Sequence, residues 1–261
     1  MLEKNSKTLI AIPMFNCGSY TKEVIGEFTS IELPPNSDIL IIDNRSSDNS
    51  VEILSEFIGS FSMNTKLIQN VKNYGLGGST KIAFQYAIEN SYDYMLLHHG
   101  SGKADINNFV SAKEDWGKYD LLLGSRFMKE SKNENYSGLQ YMGNVVFNFI
   151  FSTILNKKIL DLGASTNFYK VNKSDLDYIY LCSDGLTFNY YLLIHQLNKG
   201  LTYKYFSSPL KVTNQKSSLN LTKHLFEMVS IVLQYLNRKK LLKNNFSIFD
   251  EYEYKTINQN F

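Results

Sequence analysis

The stretch from His98 to Asp105, which reads His-His-Gly-Ser-Gly-Lys-Ala-Asp, places several groups able to bind a charged ligand next to one another. Two glycines, Gly100 and Gly102, flank the hydroxyl of Ser101 and let a backbone approach a bulky polar ligand closely. The apolar residues before this stretch, 94–97, predict a short strand buried on both faces. Ligands of open α/β sheets bind just beyond the carboxyl ends of strands. The stretch is therefore a candidate binding turn, although many strands end in a glycine-rich turn that binds nothing.

Two earlier apolar runs also end in polar residues. Residues 8–15 predict a buried first strand, and residues 38–43 a second one. Strands that alternate with helices over short connections predict a parallel sheet with crossover helices, whose carboxyl ends lie on one edge. The residues expected to meet at this edge are Pro13, Asn16, Asp43, Asn44, His99 and Ser101. A glycine-rich loop at 73–79, which contains Gly75 and Gly77 and precedes a predicted helix at 80–90, is expected on the same side.

The second half of the chain is less regular. A strand at 119–127 closes on a Gly-Ser-Arg turn that contains Arg126, and a predicted helix at 186–199 is preceded by Asp184. Other predicted elements are a helix at 144–155 and strands at 167–171 and 203–212.

A last helix is predicted at 221–240. Its apolar stripe is Leu221, Leu225, Met228, Val229, Val232 and Leu236. The sequence that follows, 238–243, is basic and apolar together. Two interpretations stay open: the helix packs on the domain, or it lies on a membrane surface. The tail beyond Asn244 is expected to fray.

Composition excludes several classes of protein. The chain has 261 residues, 43% hydrophobic and 20% charged, and a net charge of +2, so it predicts a folded protein rather than a disordered one or a general nucleic-acid binder. Its two cysteines, Cys17 and Cys182, have no zinc or disulfide spacing and indicate reduced thiols. Neither a signal peptide nor a membrane span is predicted. We therefore expect a cytoplasmic protein, with peripheral contact at the inner face of the membrane as the alternative.

Taken together, these motifs resemble those of family 2 glycosyltransferases of the GT-A fold, nearest the dolichol-phosphate-mannose-synthase-like members. The resemblance is carried by residues 10–16 (Ile-Ala-Ile-Pro-Met-Phe-Asn), 41–50 (Ile-Ile-Asp-Asn-Arg-Ser-Ser-Asp-Asn-Ser), 73–79, 98–103 and 124–127 (Gly-Ser-Arg-Phe), and more weakly by 161–165 and 215–218. It implies an α/β fold, a GT-A (Rossmann-like) mixed and mainly parallel central sheet flanked by helices, with a C-terminal amphipathic helix. The implied domains are 1–220, divided at about 105 into a nucleotide-binding and an acceptor half, and 221–261.

The resemblance also implies a ligand. A nucleotide-diphosphate sugar would lie across the strand ends with its base near Pro13, Asn16 and Asp43. The other residues implied to bind it are Asn44, Gly75, Gly77, Lys81, His99, Gly100 and Ser101. Lys81 would offset the charge of the diphosphate, although a solvated helix lysine is an equally good interpretation.

One position departs from the family. Its members hold Mg²⁺ or Mn²⁺ with the last aspartate of an Asp-x-Asp motif, and the corresponding triplet here is His99-Gly100-Ser101. A neutral hydroxyl is a poor substitute for a carboxylate on a hard cation, whereas the imidazole of His99 tolerates Mn²⁺. We expect donor binding to be retained and metal binding to be weakened, with metal-independent catalysis and loss of activity as alternatives.

The implied activity is inverting transfer of a sugar from its nucleotide to a saccharide or polyprenyl-linked acceptor, in the synthesis of cell-surface polysaccharide or glycan. For a sugar acceptor a carboxylate must take a proton, and Asp184 is the candidate base, with Asp161 second. Arg126 is the candidate cation for an acceptor phosphate or the donor diphosphate, or else a structural ion pair. The alternative is a non-catalytic or impaired nucleotide-sugar-binding protein of the same fold, because of Ser101.

Overall fold

The computed structural model describes residues 2–134, 136–211, 213, 221–237 and 251–260. The motif at 215–218 and the basic residues at 238–243 lie outside this part of the chain, and so does the predicted end of the last helix.

The described strands form one eight-stranded sheet in the order β7-β5-β6-β4-β1-β2-β3-β8. Their bounds are β1 (Thr8–Met14), β2 (Ser37–Asp43), β3 (Thr65–Asn70), β4 (Tyr94–His98), β5 (Leu121–Ser125), β6 (Thr166–Lys170), β7 (Tyr203–Ser207) and β8 (Tyr254–Gln259). The helices are α1 (Gly18–Glu27), α2 (Ser50–Ile58), α3 (Gly75–Glu89), α4 (Ile106–Val110), α5 (Gly138–Leu155), α6 (Leu176–Ile179), α7 (Phe188–Asn198) and α8 (Leu221–Leu236).

The predicted mixed, mainly parallel sheet flanked by helices is confirmed. Strands β4, β1, β2 and β3 run parallel to one another, and β5 runs parallel to β7. β6 lies antiparallel between β4 and β5 and thereby joins the two halves of the sheet. All seven residues of β1 are buried because both faces of the sheet are covered. Leu9 and Ala11 pack into one hydrophobic cluster, whereas Ile10 and Ile12 pack into the cluster on the opposite face.

The C-terminal segment differs from the expectation of a frayed tail. Strand β8 pairs antiparallel with β3 and forms the edge of the sheet. Asn260 extends this pairing, because its side chain accepts a hydrogen bond from the Thr65 backbone N–H at 2.6 Å and donates to the Phe61 carbonyl at 2.7 Å. The end of the chain therefore stabilises the half of the sheet that contains β1, β2 and β3.

Helix α8 is present, and its predicted stripe is buried only in part. Met228 of that stripe is buried and Val232 packs against the core, together with Ile231, which was not predicted, whereas Leu225, Val229 and Leu236 of the predicted stripe are exposed. The helix thus has apolar residues on both its packed face and its solvent face.

Candidate functional site

Three strand ends meet at one edge of the sheet, as the sequence predicts. The Gly100 backbone N–H donates to the Pro13 carbonyl at 3.1 Å, and the Asn44 N–H donates to the Met14 carbonyl at 2.9 Å. The turn after β4 and the turn after β2 are thereby attached to opposite sides of the end of β1. These contacts define a rim made of residues 13–16, 43–46 and 98–103, which we call the strand-end rim.

Asp43 organises the turn after β2. Its buried carboxylate accepts hydrogen bonds from the Ser46 N–H and hydroxyl and from the Gln69 side chain, which lies at 2.8 Å. Asn16, at φ +50°, reaches the same turn: its N–H donates to the Ser46 hydroxyl at 2.9 Å and its side-chain oxygen accepts from the Ser47 N–H at 2.8 Å. Asn16 and Asp43 are therefore brought together through Ser46. Their predicted contacts with a base stay predictions.

Asn44 connects the strand-end rim to the start of α3. Its side-chain oxygen accepts hydrogen bonds from the Tyr74 N–H at 2.8 Å and from Asn70 at 3.0 Å, while its amide donates to Asn73 at 2.8 Å. A carboxylate accepts hydrogen bonds but cannot donate one. The asparagine at this position, where the family has a second aspartate, is therefore explained by the contact with Asn73.

The glycine-rich segment is not a loop throughout, because α3 begins at Gly75. A Cβ atom on Gly75 would collide with the Asp184 carbonyl, and one on Gly77 with the Ser183 carbonyl. The Gly77 N–H donates to the same Asp184 carbonyl at 2.8 Å. The glycines thus permit close packing of α3 on the turn 183–185, and their predicted role in binding a nucleotide sugar stays a prediction.

Lys81 and Asp184 form a buried ion pair. The Lys81 ammonium, fully buried, lies 2.6 Å from the carboxylate of Asp184 and donates to the Tyr252 hydroxyl at 2.9 Å. Tyr252 in turn donates to the same carboxylate. Burial lowers the pKa of Lys81, while the hydrogen bond and charge of Asp184 act against that shift. Lys81, the predicted cation for the diphosphate, and Asp184, the predicted base, are thus bound to each other. Tyr252, which lies just before β8, was missed by sequence analysis because no local pattern marks it.

The two histidines at the end of β4, His98 within the strand and His99 directly after it, have buried ring nitrogens. His98 Nδ1 shares a hydrogen bond with the Thr166 hydroxyl at 2.8 Å, whereas Nε2 of His98 and Nε2 of His99 are buried without a hydrogen-bond partner in the described structure. Burial lowers the pKa of His98 to about 3, with a smaller contribution from His99. Burial, and then the charge of Arg126, lower the pKa of His99 to about 4. Both imidazoles are therefore neutral at pH 7.

Gly100 in the same turn cannot carry a side chain. Its carbonyl accepts a hydrogen bond from the Thr21 hydroxyl at 3.0 Å, and a Cβ atom on Gly100 would collide with that hydroxyl. Thr21 was not singled out by sequence analysis, because no local pattern marks this contact with a turn 79 residues away. The His99 N–H also donates to the carbonyl of Ser165, the residue before β6, at 3.1 Å. The turn after β4 is therefore bonded to α1 through Thr21, to β1 through Pro13 and to the start of β6 through Ser165.

The residues at the Asp-x-Asp position do not fit a hard divalent cation. The described residues contain no group of three or more His, Cys, Asp or Glu side chains that could hold a metal ion. The nearby carboxylate of Asp105 caps α4 through the Asn107 N–H and pairs with Lys211 at 2.8 Å. A neutral imidazole and a hydroxyl, His99 and Ser101, leave a Mg²⁺ ion without an anionic ligand from the chain.

Arg126 is held by Asp161 in a bidentate pair. Nε and one terminal nitrogen of the guanidinium each lie 2.7 Å from a carboxylate oxygen, and the Arg126 backbone N–H donates to the same carboxylate. The other terminal nitrogen makes a longer bond of 3.4 Å to the Tyr136 hydroxyl. Burial acts to lower the pKa of Arg126, but the charge and hydrogen bonds of Asp161 outweigh it and raise the pKa. The Arg126 charge is thus fixed beside His99.

The comparisons with known proteins agree with this fold. Residues 9–97 match the family model described as "Glycosyl transferase family 2", from β1 to the last residue but one of β4. The resemblance to family 2 glycosyltransferases is therefore confirmed, and the fold is that of GT-A glycosyltransferases. The dolichol-phosphate-mannose-synthase-like subtype stays a prediction.

Several solved glycosyltransferase structures are similar to the chain. Mannosyl-3-phosphoglycerate synthase from Rubrobacter xylanophilus is 11% identical with a TM-score of 0.63, over 92% of this chain and 76% of that one. Glucosyl-3-phosphoglycerate synthase from Mycobacterium tuberculosis, solved with Mn²⁺, UDP and glucosyl-3-phosphoglycerate, is 10% identical with a TM-score of 0.59, over 97% and 88%.

A third similar structure is the S. aureus TarS 1-349 fragment in complex with UDP-GlcNAc, 15% identical with a TM-score of 0.58, over 90% of this chain and 67% of that one. In the structure of the same fragment without that ligand, the chain spans 66% of the length. No curated protein matches the chain by sequence. Within the described residues, no helix is long and apolar enough to cross a bilayer.

The buried histidines predict a pH dependence of stability. In the unfolded chain a histidine titrates near pH 6.5, whereas folded His99 titrates at about 4, so the unfolded state binds more protons between these values. The stabilisation is complete above pH 6.5 and is lost as pH falls through about 4, by on the order of 3 kcal/mol. Urea denaturation between pH 7 and pH 5 should show a smaller loss of stability for His99→Gln than for the wild type. Equal slopes for the two proteins would contradict this account of His99.

Proposed function

We propose that the chain is an inverting glycosyltransferase that moves a sugar from a nucleotide-diphosphate sugar to a phosphate-bearing, lipid-linked acceptor. The observation that carries the proposal is the strand-end rim, where backbone hydrogen bonds attach Gly100 to Pro13 and Asn44 to Met14 at the carboxyl ends of parallel strands. The match of residues 9–97 to the glycosyltransferase model covers two of the three segments of this rim, 13–16 and 43–46, and ends before the turn 98–103. Two of the similar structures contain UDP or UDP-GlcNAc, which supports a nucleotide-sugar donor.

The departing nucleoside diphosphate needs hydrogen-bond donors or positive charge where its own negative charge develops. Since His99 and Ser101 do not supply an anionic metal ligand, we assign this task to groups of the chain rather than to a divalent cation. The Ser101 hydroxyl and the Lys103 ammonium belong to the turn after β4 and are partly exposed. Arg126 lies beside His99 and keeps a guanidinium nitrogen that Asp161 does not bind.

The state of the two candidate bases favours an acceptor that is already an anion. Asp184 is bound by Lys81 and Tyr252, and Asp161 is bound by Arg126 and the Gly163 N–H. A carboxylate that is held by a buried cation cannot take a proton from an acceptor without leaving that cation unpaired. An acceptor phosphate is a nucleophile without loss of a proton, so it needs no base. A saccharide acceptor with Asp184 as base is the second candidate.

A lipid-linked acceptor places the reaction at the inner face of the cytoplasmic membrane, in the synthesis of cell-surface polysaccharide or glycan. Ser101 motivates the alternative of a protein that binds nucleotide sugars without turnover. The family match and the glycosyltransferases among the similar structures favour the enzyme over this alternative.

A donor panel with and without metal tests the proposal. Thermal shifts with UDP-, GDP-, CDP- and dTDP-sugars should identify one nucleotide that stabilises the chain in the presence of EDTA. Hydrolysis or transfer of that donor should change by less than about twofold between EDTA and Mn²⁺, because His99 and Ser101 contribute no anionic ligand. Ser101→Asp should introduce a Mn²⁺ dependence that the matched variant Ser101→Ala lacks. Turnover that disappears in EDTA and returns with Mn²⁺ would refute the metal-independent assignment, and the absence of any shift would refute donor binding.

A further inference from the structure

The exposed hydrophobic residues of the protein are concentrated on two helices. Thirteen large hydrophobic side chains are exposed in the described part of the chain, and eleven of them lie on α5 and α8. Scattered exposed hydrophobics are normal on a soluble protein, but a contiguous set marks an interaction surface. Because α5 and α8 pack against each other, these residues belong to one surface, which we call the α5/α8 apolar face.

Helix α5 is apolar on both sides. Its 18 residues contain no charged side chain. Phe147, Phe151 and Leu155 are buried in the core, while the opposite side exposes Leu139 by 81% and Phe149 by 71%. A helix that is hydrophobic all round is normally covered on all sides. The solvent face of α5, where Thr153 is exposed, therefore lacks the charged residues that a permanently hydrated helix carries.

Helix α8 continues this surface. Met228 and Ile231 face the core, and Phe226, 75% exposed, faces outward. The other exposed apolar residues of α8 are Leu225, Val229, Leu233 and Leu236. These residues recur at helical spacing and form one stripe opposite the buried one. The single acidic residue of α8 is Glu227.

The described charges on and next to the α5/α8 apolar face are mostly basic. Lys157 and Lys158 are exposed directly after α5, and Lys223 is exposed in the first turn of α8. A second copy of the chain would bring the same basic residues to the same interface, whereas anionic headgroups would neutralise them. An apolar helical face with basic neighbours is the pattern of a helix that lies in the interface of an anionic bilayer.

We propose that the α5/α8 apolar face docks on the surface of an anionic membrane. Both helices begin near Arg126. The Asn144 amide of α5 donates to the Tyr136 hydroxyl at 2.9 Å, and that hydroxyl accepts from Arg126. His224 of α8 lies 3.2 Å from the Tyr190 hydroxyl, and both that hydroxyl and a guanidinium nitrogen of Arg126 lie within 3.4 Å of where a Cβ atom on Gly163 would be. Docking therefore brings Arg126 to the lipid surface, where the phosphate of a lipid acceptor arrives; this last step rests on the proposed function.

Vesicle flotation in the absence of any donor tests the docking. The full chain should float with vesicles of phosphatidylcholine containing about one third phosphatidylglycerol, and much less with phosphatidylcholine alone. The double variant Phe149→Gln/Phe226→Gln should lower binding to the anionic vesicles by about tenfold or more, since each substitution removes an apolar side chain from the contact with lipid. Val229→Gln, 41% exposed, should weaken binding, whereas the matched variant Val71→Gln, 43% exposed on another part of the molecule, should not.

Unchanged flotation of the double variant would overturn the proposal, and so would equal binding to neutral and anionic vesicles. Analytical ultracentrifugation of the same proteins distinguishes membrane docking from dimerisation through the α5/α8 apolar face. A wild-type dimer that the double variant converts to a monomer, without vesicle binding, would assign the face to a second copy of the chain. Vesicle binding by a protein that transfers no sugar would leave the docking intact and refute only the proposed function.

Discussion

Replacing Asp161 by alanine is expected to lower the free energy of unfolding by about 3–5 kcal/mol. The guanidinium of Arg126, 13% exposed, would lose both of its short hydrogen bonds at 2.7 Å and remain buried without a counter-charge. Arginine cannot escape this cost by losing a proton. The Arg126 and Gly163 backbone N–H groups would lose their acceptor at the same time. Urea denaturation followed by circular dichroism at pH 7 measures the loss.

A matched control separates this buried pair from an exposed one. Asp115 also pairs with a cation, but the Lys204 side chain is 47% exposed. Asp115→Ala is expected to cost about 0–1 kcal/mol. A double variant, Arg126→Leu/Asp161→Leu, should be more stable than Asp161→Ala, because it leaves no buried charge unpaired. If Asp161→Ala proved as mild as Asp115→Ala, Arg126 would have another partner or would be hydrated.

Replacing Asp184 by alanine is expected to destabilise the protein by a similar amount at pH 7, about 3–5 kcal/mol, but with a different pH dependence. The carboxylate of Asp184 opposes the lowering of the Lys81 pKa by burial. When this carboxylate is removed, the pKa of Lys81 should fall further. The unfolded chain then binds more protons than the folded one between that lowered pKa and 10.5. Stability of the variant should therefore rise relative to the wild type as pH increases, for example between pH 7 and pH 9. Urea denaturation at both values measures it.

Two further variants belong to this experiment. Tyr252→Phe removes one hydroxyl but leaves the ion pair, so it should cost only about 1 kcal/mol. Lys81→Met/Asp184→Asn should regain much of the stability that Asp184→Ala loses. If that double variant also retains sugar transfer, Asp184 is not the catalytic base; if it folds but has lost transfer, the assignment of Asp184 as base gains support. A deficit for Asp184→Ala that does not change between pH 7 and pH 9 would contradict a buried, titrating Lys81.

The parts of the fold that the sequence predicts are those with a local signal. β1, β2 and β4 are uninterrupted apolar runs, which fits strands covered on both faces. Their convergence follows from the alternation of strands and helices. The family resemblance predicts the class of ligand, a nucleotide-diphosphate sugar, but it does not predict the side-chain contacts within the site.

Other features depend on contacts far apart in the sequence. Glycine is unfavourable inside a helix, so the segment at 73–79 predicts a loop, yet close packing on the turn 183–185 places Gly75 and Gly77 in α3. β8 is a largely polar edge strand, and residues of its partner strand, β3, lie 184 to 193 positions earlier in the sequence. Tyr252 meets Lys81 across 171 positions, and no spacing rule finds such a pair.

The prediction of a nucleotide-sugar site at the strand-end rim is tested most directly by a crystal structure of the chain with the donor chosen by the thermal-shift panel, grown in EDTA. The account predicts the base beside Pro13, Asn16 and Asp43 and the diphosphate against the turn 99–103, without a metal ion between the phosphates and Ser101. A donor bound elsewhere on the sheet would contradict the account. So would a strand-end rim that binds no donor at saturating concentration and keeps all its internal hydrogen bonds.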